Sequence, residues 1–358
     1  MNTSPPVIEL RTSPHLHVHR AVQQIMANVI YALLPISAYA IWLFGISAFA
    51  LLVTTTASCV FTEHFVSKMS GRESSIGDLS AVITGLLLGL ILPPGFPLWM
   101  AVAGGFIAIA PAKMLFGGLG FNVFNPALVA RAFLQAAFPV AITAYTPALA
   151  LHRFMELIPS TLTVPLTKAQ SLSAWINTAR VDAFSGATPL MLQKFDHVST
   201  DLWVLLFGQR AGSAGETPTL LILLCGGYLI IRKMMDWRIP VAMLGSACIT
   251  GGVFYLVDPA RYPSPLFVLL SGGLMLGAMF MATDPVASPV TPSGVWIYGA
   301  LMGLITVLIR LKGGLAEGVM YAILLGNAVS PLIDNLTQPR TYGARKPDSV
   351  APKQEART

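Results

Sequence analysis

Long apolar stretches alternate with short polar segments along the whole 358-residue chain. Each stretch approaches the roughly 20 residues that a helix needs to cross the hydrocarbon core of a bilayer. The hydropathy pattern therefore predicts an all-α polytopic membrane protein with about ten transmembrane helices. The predicted spans are residues 25–44, 46–62, 79–93, 98–112, 121–140, 218–231, 239–257, 266–283, 294–309 and 315–333.

One long polar interruption divides these spans into two groups of five. The predicted organisation is a cytoplasmic N-terminal tail at 1–24, a first membrane half at 25–140, a periplasmic loop at 141–217, a second membrane half at 218–333 and a cytoplasmic C-terminal tail at 334–358. No small-residue cleavage pattern follows the first apolar block, so this block is expected to remain as a helix. A connection as long as the central loop is typical of a functional segment.

The positions of the charged residues predict how the spans are oriented in the membrane. Only 11% of the residues are charged, whereas soluble domains carry roughly 25%. The net charge of +6 does not indicate a nucleic-acid partner, because the cations lie in tails and loops, as the positive-inside bias requires. Ten spans place both tails on one side, predicted to be the cytoplasmic face of a bacterial inner membrane. Arg261, Arg310 and Lys312 fall on the opposite side and weaken this assignment slightly.

A short glycine pattern occurs once in each half. Gly85 and Gly89 in the third predicted span form a Gly-x-x-x-Gly pair, as Gly273 and Gly277 do in the eighth. Spans five apart run in opposite directions, which favours an inverted repeat of five plus five helices. Close helix packing anywhere in a membrane bundle produces the same pattern, so both interpretations stay open.

Cysteine and histidine residues give little indication of a metal site. The cysteines are Cys59, Cys225 and Cys248, which lie singly in apolar runs. Iron–sulfur and structural zinc sites need four ligands, commonly in close pairs, so we expect three small buried hydrophobic residues. The alternating histidines His15, His17 and His19 indicate a tail that docks on a partner more than they indicate a metal site.

The central loop contains a heptad with a specific chemical meaning. It reads Asp182, Ala183, Phe184, Ser185, Gly186, Ala187, Thr188. The pattern D-x-x-S-G-A-T resembles the acceptor motif to which an exported flavin transferase attaches FMN through a phosphoester on the threonine hydroxyl. The alternative is an ordinary Ser-Gly turn.

Each member of the heptad has an expected part in flavin attachment. Thr188 would be the acceptor, and its hydroxyl should be exposed. Gly186 and Ala187, after Ser185, keep the backbone open. Pro189 holds the preceding residue extended, and the motif assigns to Asp182 the placement of metal-bound FAD in the transferase.

Four other stretches extend the resemblance to nearly the whole chain. They are Ser13 to His15, Gly117 to Asn122, Asn125 to Arg131, and Phe280 to Pro285. With the flavin motif, they resemble the D subunit of the Rnf electron-transport complex and, more distantly, the B subunit of the sodium-pumping NADH:quinone oxidoreductase.

The resemblance implies a membrane flavoprotein subunit that transfers electrons within an ion-translocating oxidoreductase, linking NADH and ferredoxin chemistry to ion movement. The glycine-rich segment 117–120 lacks the preceding strand of a dinucleotide site, so another subunit should handle NADH. The expected partners are flavoprotein and iron–sulfur subunits, the flavin transferase and the lipid bilayer. By analogy, noncovalent riboflavin would be a second cofactor, for which the residues give no independent support.

Arg131 lies inside an apolar run, where an unpaired cation costs several kcal/mol. One interpretation is that the start of the helix at Asn125 and Arg131 help bind an anionic or flavin group. The other is that Arg131 is paired structurally or reaches the membrane interface.

Three acidic residues are candidates for an ion pathway. Asp78 and Asp284 match regions that are implicated in cation uptake in the sodium-pumping relative, and Glu317 lies early in the last predicted span. Helix capping explains Asp78 better, and capping and function explain Asp284 equally well. Glu317 would line a cation path or favour a helix N-terminus.

Two rival functions share the same architecture. A channel or secondary transporter for a small polar solute would also have an inverted repeat and interrupted helices. A structural scaffold for a membrane complex is the second rival.

Overall fold

The computed structural model describes residues 22–71, 75–165, 167, 187–259 and 261–339. Within these residues the chain forms helices and turns without a strand, so the all-α prediction is confirmed. The main helices are α1 Val22–Phe44, α2 Ile46–Met69, α3 Ser80–Ile91, α4 Leu98–Ile109, α5 Pro126–Ala137, α6 Thr219–Ile231, α7 Arg238–Val257, α8 Pro265–Leu270, α9 Leu274–Leu276, α10 Pro292–Lys312 and α11 Val319–Thr337. A helix overlaps every predicted span. His15, His17 and His19 lie outside the described residues, as does the C-terminal tail from residue 340.

Five of these helices are long and apolar enough to cross a membrane by themselves, namely α1, α2, α7, α10 and α11. Three more apolar helices are shorter, namely α3, α6 and α4 with its continuation to Met114. The remaining predicted spans correspond to α5 and to the interrupted pair α8–α9. The structure therefore supports a multi-pass chain, and the count of ten spans remains a prediction.

The fifth helix begins later than the hydropathy pattern predicts. Gly117, Gly118 and Gly120 adopt positive φ angles, so the segment before α5 is a turn. The Asn125 carboxamide oxygen accepts hydrogen bonds from the backbone N–H groups of residues 127 and 128, at 3.1 and 3.4 Å. Pro126 occupies the first helical position, where its missing N–H costs nothing. Together these residues fix the start of α5.

The eighth predicted span is interrupted at its middle. Gly272 has a φ of +63°, which ends the helical path between α8 and α9. A Cβ atom on Gly272 would overlap the Leu190 side chain, and one on Gly273 would lie 2.6 Å from Glu216 Oε1. A π-helical turn, Gly277–Met281, follows α9. Discontinuous helices of this kind are tolerated in membranes where protein covers the freed backbone groups.

Each half has one long helix that packs against two others. In the first half α2 packs against α3 and α4, and in the second half α7 packs against α8 and α10. The halves meet through α1 with α6 and through α5 with α11. A serine hydroxyl forms a hydrogen bond between two helices in each half. Ser58 of α2 donates to the Val102 carbonyl of α4 at 2.9 Å, and Ser246 of α7 donates to the Ala300 carbonyl of α10 at 2.7 Å.

The Gly-x-x-x-Gly pairs lie at close helix contacts. A Cβ atom on Gly85 would overlap the backbone of α2, and one on Gly277 would lie 2.5 Å from the Val319 side chain. The close-packing interpretation of these glycines is therefore confirmed. Cys59 and Cys225 are buried and Cys248 is partly buried, as expected for apolar residues.

Candidate functional site

Thr188 begins a short helix, Pro189–Met191, in the central loop. Its backbone is extended (φ −73°, ψ 157°), as Pro189 predicts, and its hydroxyl oxygen accepts a hydrogen bond from the Met191 N–H at 3.3 Å. The residue is only 5% exposed, in contrast to the expected open hydroxyl. The cause is Leu190, which packs with Leu205 and Phe267. Ala187 is partly buried, whereas Asp182, Ser185 and Gly186 lie outside the described residues.

The Thr188 side chain lines a small cavity with an empty volume of about 230 Å³ that includes open space. Arg210, Glu216, Gly272 and Glu317 line the same cavity. These residues come from the loop before α6, the break between α8 and α9, and the turn before α11. The fold thus brings the predicted flavin acceptor next to charged groups that are distant in sequence. We name this the outer cavity.

Arg131 pairs with two carboxylates beside the outer cavity. Its Nη1 lies 2.9 Å from Glu216 Oε1, and its Nη2 lies 2.9 Å from Glu317 Oε2. Nη1 also donates to the Ile91 carbonyl, at the end of α3. Arg131 and Glu216 are almost fully buried, and Glu317 is partly buried. The structure therefore shows the paired arrangement of Arg131. Glu317 precedes α11 rather than lying within a helix.

Two further arginines bind the carbonyl end of α8. Arg310 donates to the Val268 carbonyl at 2.7 Å and to the Ser271 carbonyl at 3.1 Å. Arg210 donates to the Leu270 carbonyl at 3.1 Å. The break after α8 leaves these carbonyls without partners in the helix, and cations are favourable at that end of the helix dipole. Both arginines are more than nine-tenths buried.

The cluster of five charged side chains has an excess of one positive charge, from Arg131, Arg210, Arg310, Glu216 and Glu317. Within the described residues, several buried polar atoms near it have no hydrogen-bond partner. They are Arg210 Nη1, Arg310 Nε, Ser213 Oγ, Thr217 Oγ1 and Ser271 Oγ. Since buried polar atoms are nearly always paired in proteins, this set of atoms indicates a place suited to a further acceptor group.

The loop before α6 is fixed in place beside α3. The Gly215 N–H donates to the Leu90 carbonyl at 2.7 Å, and the Ala214 N–H donates to the Leu92 carbonyl at 3.0 Å. Sequence reasoning missed Arg210, Glu216 and Arg310, which looked like ordinary loop or interface charges. The glycine-rich spacing around Arg210 and Glu216 was the available indication of an ordered loop.

A larger cavity lies at the opposite ends of α3 and α6, with an empty volume of about 830 Å³ that includes open space. We name it the inner cavity. Asn122, Asn125, Thr84 and Lys113 line it with polar groups, and leucine and methionine side chains supply much of the remaining wall. Asn125 therefore lies in the inner cavity, and Arg131 lies at the outer one. The structure does not bring these two predicted residues to one site.

Asp284 also lines the inner cavity, just after the last predicted residue of its span. Its carboxylate accepts a hydrogen bond from the Val286 N–H at 3.1 Å. Burial raises the pKa of Asp284, and hydrogen bonds from Val286 and Asn122 act in the opposite direction. Asp284 therefore begins a turn and lines the cavity, and because the next described helix starts only at Pro292, it does not cap a helix.

A second buried ion pair lies near the inner cavity. Lys113 Nζ lies 2.9 Å from both carboxylate oxygens of Glu63 and also donates to the Ser80 hydroxyl. Asp78 accepts from the Ser80 N–H at 2.8 Å. The N-cap position of α3 is Leu79, and Asp78, one position earlier, satisfies the free N–H of the first helical residue.

Interrupted helices, buried ion pairs and a cavity at each end of α3 define a multi-pass membrane protein with space for ligands between its helices. A model of the NQR2, RnfD, RnfE family matches residues 9–343. The chain belongs to this family, and its resemblance to the Rnf D subunit is confirmed.

Several relatives match over almost their full length. The D subunit of the proton-translocating ferredoxin:NAD(+) oxidoreductase complex of Clostridium ljungdahlii is 40% identical over 350 residues, covering 95% of this chain and 97% of the relative. Its Na(+)-translocating counterpart from Acetobacterium woodii is 40% identical over 344 residues, covering 95% and 96%. The D subunit of the ion-translocating oxidoreductase complex of Alcanivorax borkumensis is 39% identical over 341 residues, covering 93% and 96%.

Proposed function

We propose that this chain is the membrane subunit of an ion-translocating ferredoxin:NAD+ oxidoreductase complex that carries covalent FMN on Thr188. The observation that carries the proposal is the position of Thr188 in the wall of a cavity that it shares with Arg210, whose Nη1 has no partner among the described residues. The relatives are named as subunits of such complexes. The subunit would transfer electrons without a complete active site of its own.

The side chains at the outer cavity fit an anionic linker. Attachment would form a bond from Thr188 Oγ1 to phosphorus, while the pyrophosphate bond of FAD breaks and AMP leaves with the hydroxyl proton. The ester oxygen keeps a lone pair, so it can still accept from the Met191 N–H. Arg210 Nη1, buried and without a partner among the described residues, suits a phosphate oxygen. The flavin ring itself supplies the one- and two-electron chemistry.

Because Thr188 is buried, the transferase must reach it before the loop packs against α8 or during an opening of the loop. Asp182, Ser185, Gly186 and Ala187 would serve this step as the recognition sequence. The need for the transferase to reach Thr188 also sets the proposed orientation in the membrane. The loop 141–217 would face the periplasm, where the transferase works, and both tails would face the cytoplasm. Electrons would pass between the flavin and a neighbouring flavoprotein or iron–sulfur subunit.

We also propose that the helices form an inverted repeat of five plus five. Lys113, near the end of the fourth helix, donates to Ser80, and Arg310, near the end of its counterpart α10, donates to Val268. Ser80 and Val268 are separated by the same number of positions as Ser58 and Ser246, which make the equivalent hydrogen bonds between helices. These matches support a repeat of structure beyond the glycine pattern.

Noncovalent riboflavin is the proposed ligand of the inner cavity. Apolar walls suit the ring system, and the amides of Asn122 and Asn125 offer both donors and acceptors for its polar edge. The cavity lies between helices of both halves, which agrees with a cofactor held at the repeat interface. Acid extraction of a native Thr188→Val preparation should release riboflavin. An extract free of flavin would contradict this part of the proposal.

Asp284 and Glu317 are the proposed ion-pathway residues at the inner and outer cavities. Asp78 is a weaker candidate because its carboxylate binds the free N–H of the first residue of α3. The relatives named as proton- and sodium-translocating are equally identical to this chain, so overall similarity does not select the ion.

Flavin fluorescence on a denaturing gel tests the central proposal. The full chain is coexpressed with the flavin transferase, purified, denatured and separated. We expect a fluorescent band for the wild type and a dark band for Thr188→Val, because valine has no hydroxyl to esterify. Thr143→Val, a change of another threonine whose hydroxyl binds local carbonyls, should remain fluorescent. A dark wild-type band would sink the proposal and leave the channel or transporter as the better function.

A further inference from the structure

The arginines at the outer cavity differ in the groups that neutralise them. Arg131 holds two carboxylates, those of Glu216 and Glu317. The hydrogen bonds described for Arg210 and Arg310 go to carbonyl oxygens of the segment 268–271, which carry no net charge. One positive charge of the cluster is therefore left over, at the end of α8. A buried charge without a counter-charge is strongly unfavourable.

The unpartnered donors point to the position of the missing negative group. Arg210 and Thr217 both line the outer cavity with Thr188, and Arg210 Nη1 and Thr217 Oγ1 have no partner within the described residues. Thr188 and the unpartnered side chain of Arg210 thus border one space.

We propose that Arg210 binds the phosphodiester that joins FMN to Thr188, and that flavin attachment thereby locks the loop 187–217 onto the end of α8. This inference rests on the proposed function. A phosphodiester carries one negative charge at neutral pH, which equals the excess of the cluster. Its oxygens accept charge-assisted hydrogen bonds, for which the planar guanidinium group is well shaped.

Arg131 is excluded as the main phosphate ligand by its existing partners. Both of its Nη atoms already bind carboxylates, and Nη1 also binds the Ile91 carbonyl. Arg210 offers an unpartnered nitrogen in the same cavity. The assignment therefore separates two roles: Arg131 orders the carboxylates, and Arg210 receives the linker.

The test is a thermodynamic cycle between flavin attachment and the Arg210 charge. The full chain and its Arg210→Gln variant are each produced with and without the transferase, and the apparent unfolding temperature is measured in detergent. Attachment should raise that temperature in the wild type by roughly 2–4 °C and leave Arg210→Gln unchanged. Without flavin, Arg210→Gln should be at least as stable as the wild type, because an unneutralised buried charge has been removed.

Two further variants sharpen the cycle. Arg210→Lys keeps the charge but loses the planar fork, so it should retain part of the stabilisation. Arg153→Gln changes another arginine of the central loop 141–217, one that donates to the Trp42 carbonyl. This variant should keep the full stabilisation by flavin attachment. Equal stabilisation of Arg210→Gln and the wild type by flavin would overturn the proposal. A folded Arg210→Gln protein that carries no flavin would overturn it too, because the proposed contact acts after attachment.

Inorganic phosphate distinguishes the covalent linker from a free anion. Phosphate should stabilise the unmodified wild type, in which Arg210 is not neutralised, and leave the flavinylated wild type unchanged. Stabilisation of the flavinylated protein to the same extent would place the anion site elsewhere and contradict the assignment. Failure of the proposed function gives a different result, namely no fluorescent band on the denaturing gel for any of the four proteins.

Discussion

Arg131 and Glu317 form an ion pair of 2.9 Å across 186 positions of the chain. The pair joins α5 in the first half to the turn before α11 in the second, and Glu216 brings in the loop before α6. Buried or intramembrane charges persist where they pair with each other. Arg131 is therefore a connection between the two halves and the segment that carries Thr188.

Replacing Arg131 by methionine should destabilise the protein by about 3–5 kcal/mol, because two carboxylates lose their shared counter-charge. The measurement is the free energy of unfolding in mixed micelles. Neutralising the carboxylates as well, with Glu216→Gln and Glu317→Gln in the same chain, should restore much of the loss. A single Arg131→Met variant as stable as the wild type would show that these ion pairs contribute little.

The proposed topology predicts which surface positions are accessible from outside the cell. Ser199 lies exposed in the central loop, and Ser70 lies exposed just after α2. In a background without native cysteines, a membrane-impermeant maleimide added to intact spheroplasts should label Ser199→Cys. It should label Ser70→Cys only after the membrane is permeabilised. Labelling of Ser70→Cys in intact cells, with Ser199→Cys protected, would reverse the orientation.

The sequence predicts the helices better than it predicts their interruptions. Apolar runs are visible in a single chain, and a helix overlaps each of them. The start of α5 was predicted too early, at residue 121 instead of Pro126, because the apolar residues Phe121, Val123 and Phe124 extend the hydropathy pattern into the turn before the helix. The break at Gly272 depends on a positive φ and on the Leu190 side chain, which comes from another segment. Neither cause is visible in local composition.

The candidate site was only partly predictable, because several of its residues come together only in the folded chain. Thr188 belongs to a continuous motif, so its resemblance is visible without a fold. Arg131 could be recognised as unusual because it lies in an apolar run, but its partner Glu216 is 85 positions away. Arg210 is one of several charged residues in the central loop, and its local sequence does not distinguish it from the others. Only the folded chain shows that it binds the end of a broken helix.

Close packing between α7 and α10 predicts a sharp effect at Gly303. A Cβ atom there would overlap the Met243 carbonyl oxygen, which is part of the α7 backbone and has little room to move. Gly303→Ala should destabilise the protein by about 1–3 kcal/mol, the usual cost of overpacking. Gly245→Ala, in the middle of α7 with open space around it, is the matched control and should be neutral or slightly stabilising. Equal unfolding midpoints for both variants would contradict the close contact between these helices.

The carboxylate of Asp284 should matter for ion coupling and not for flavin attachment. Asp284 lines the inner cavity and is far in sequence from Thr188. The Asp284→Asn substitution would remove a charged ligand from a cation that passes through this cavity. Loss of one charge-assisted contact corresponds to about a tenfold change in rate. We therefore expect ion-coupled turnover of the complex in membrane vesicles to fall by about that factor, with both sodium uptake and proton movement followed. Flavin fluorescence on the gel should be unchanged.

Asp236→Asn is the control, because Asp236 is exposed and binds only the local N–H of Arg238 among the contacts described. Native ion transport by Asp284→Asn, at a native level of protein, would remove Asp284 from the pathway.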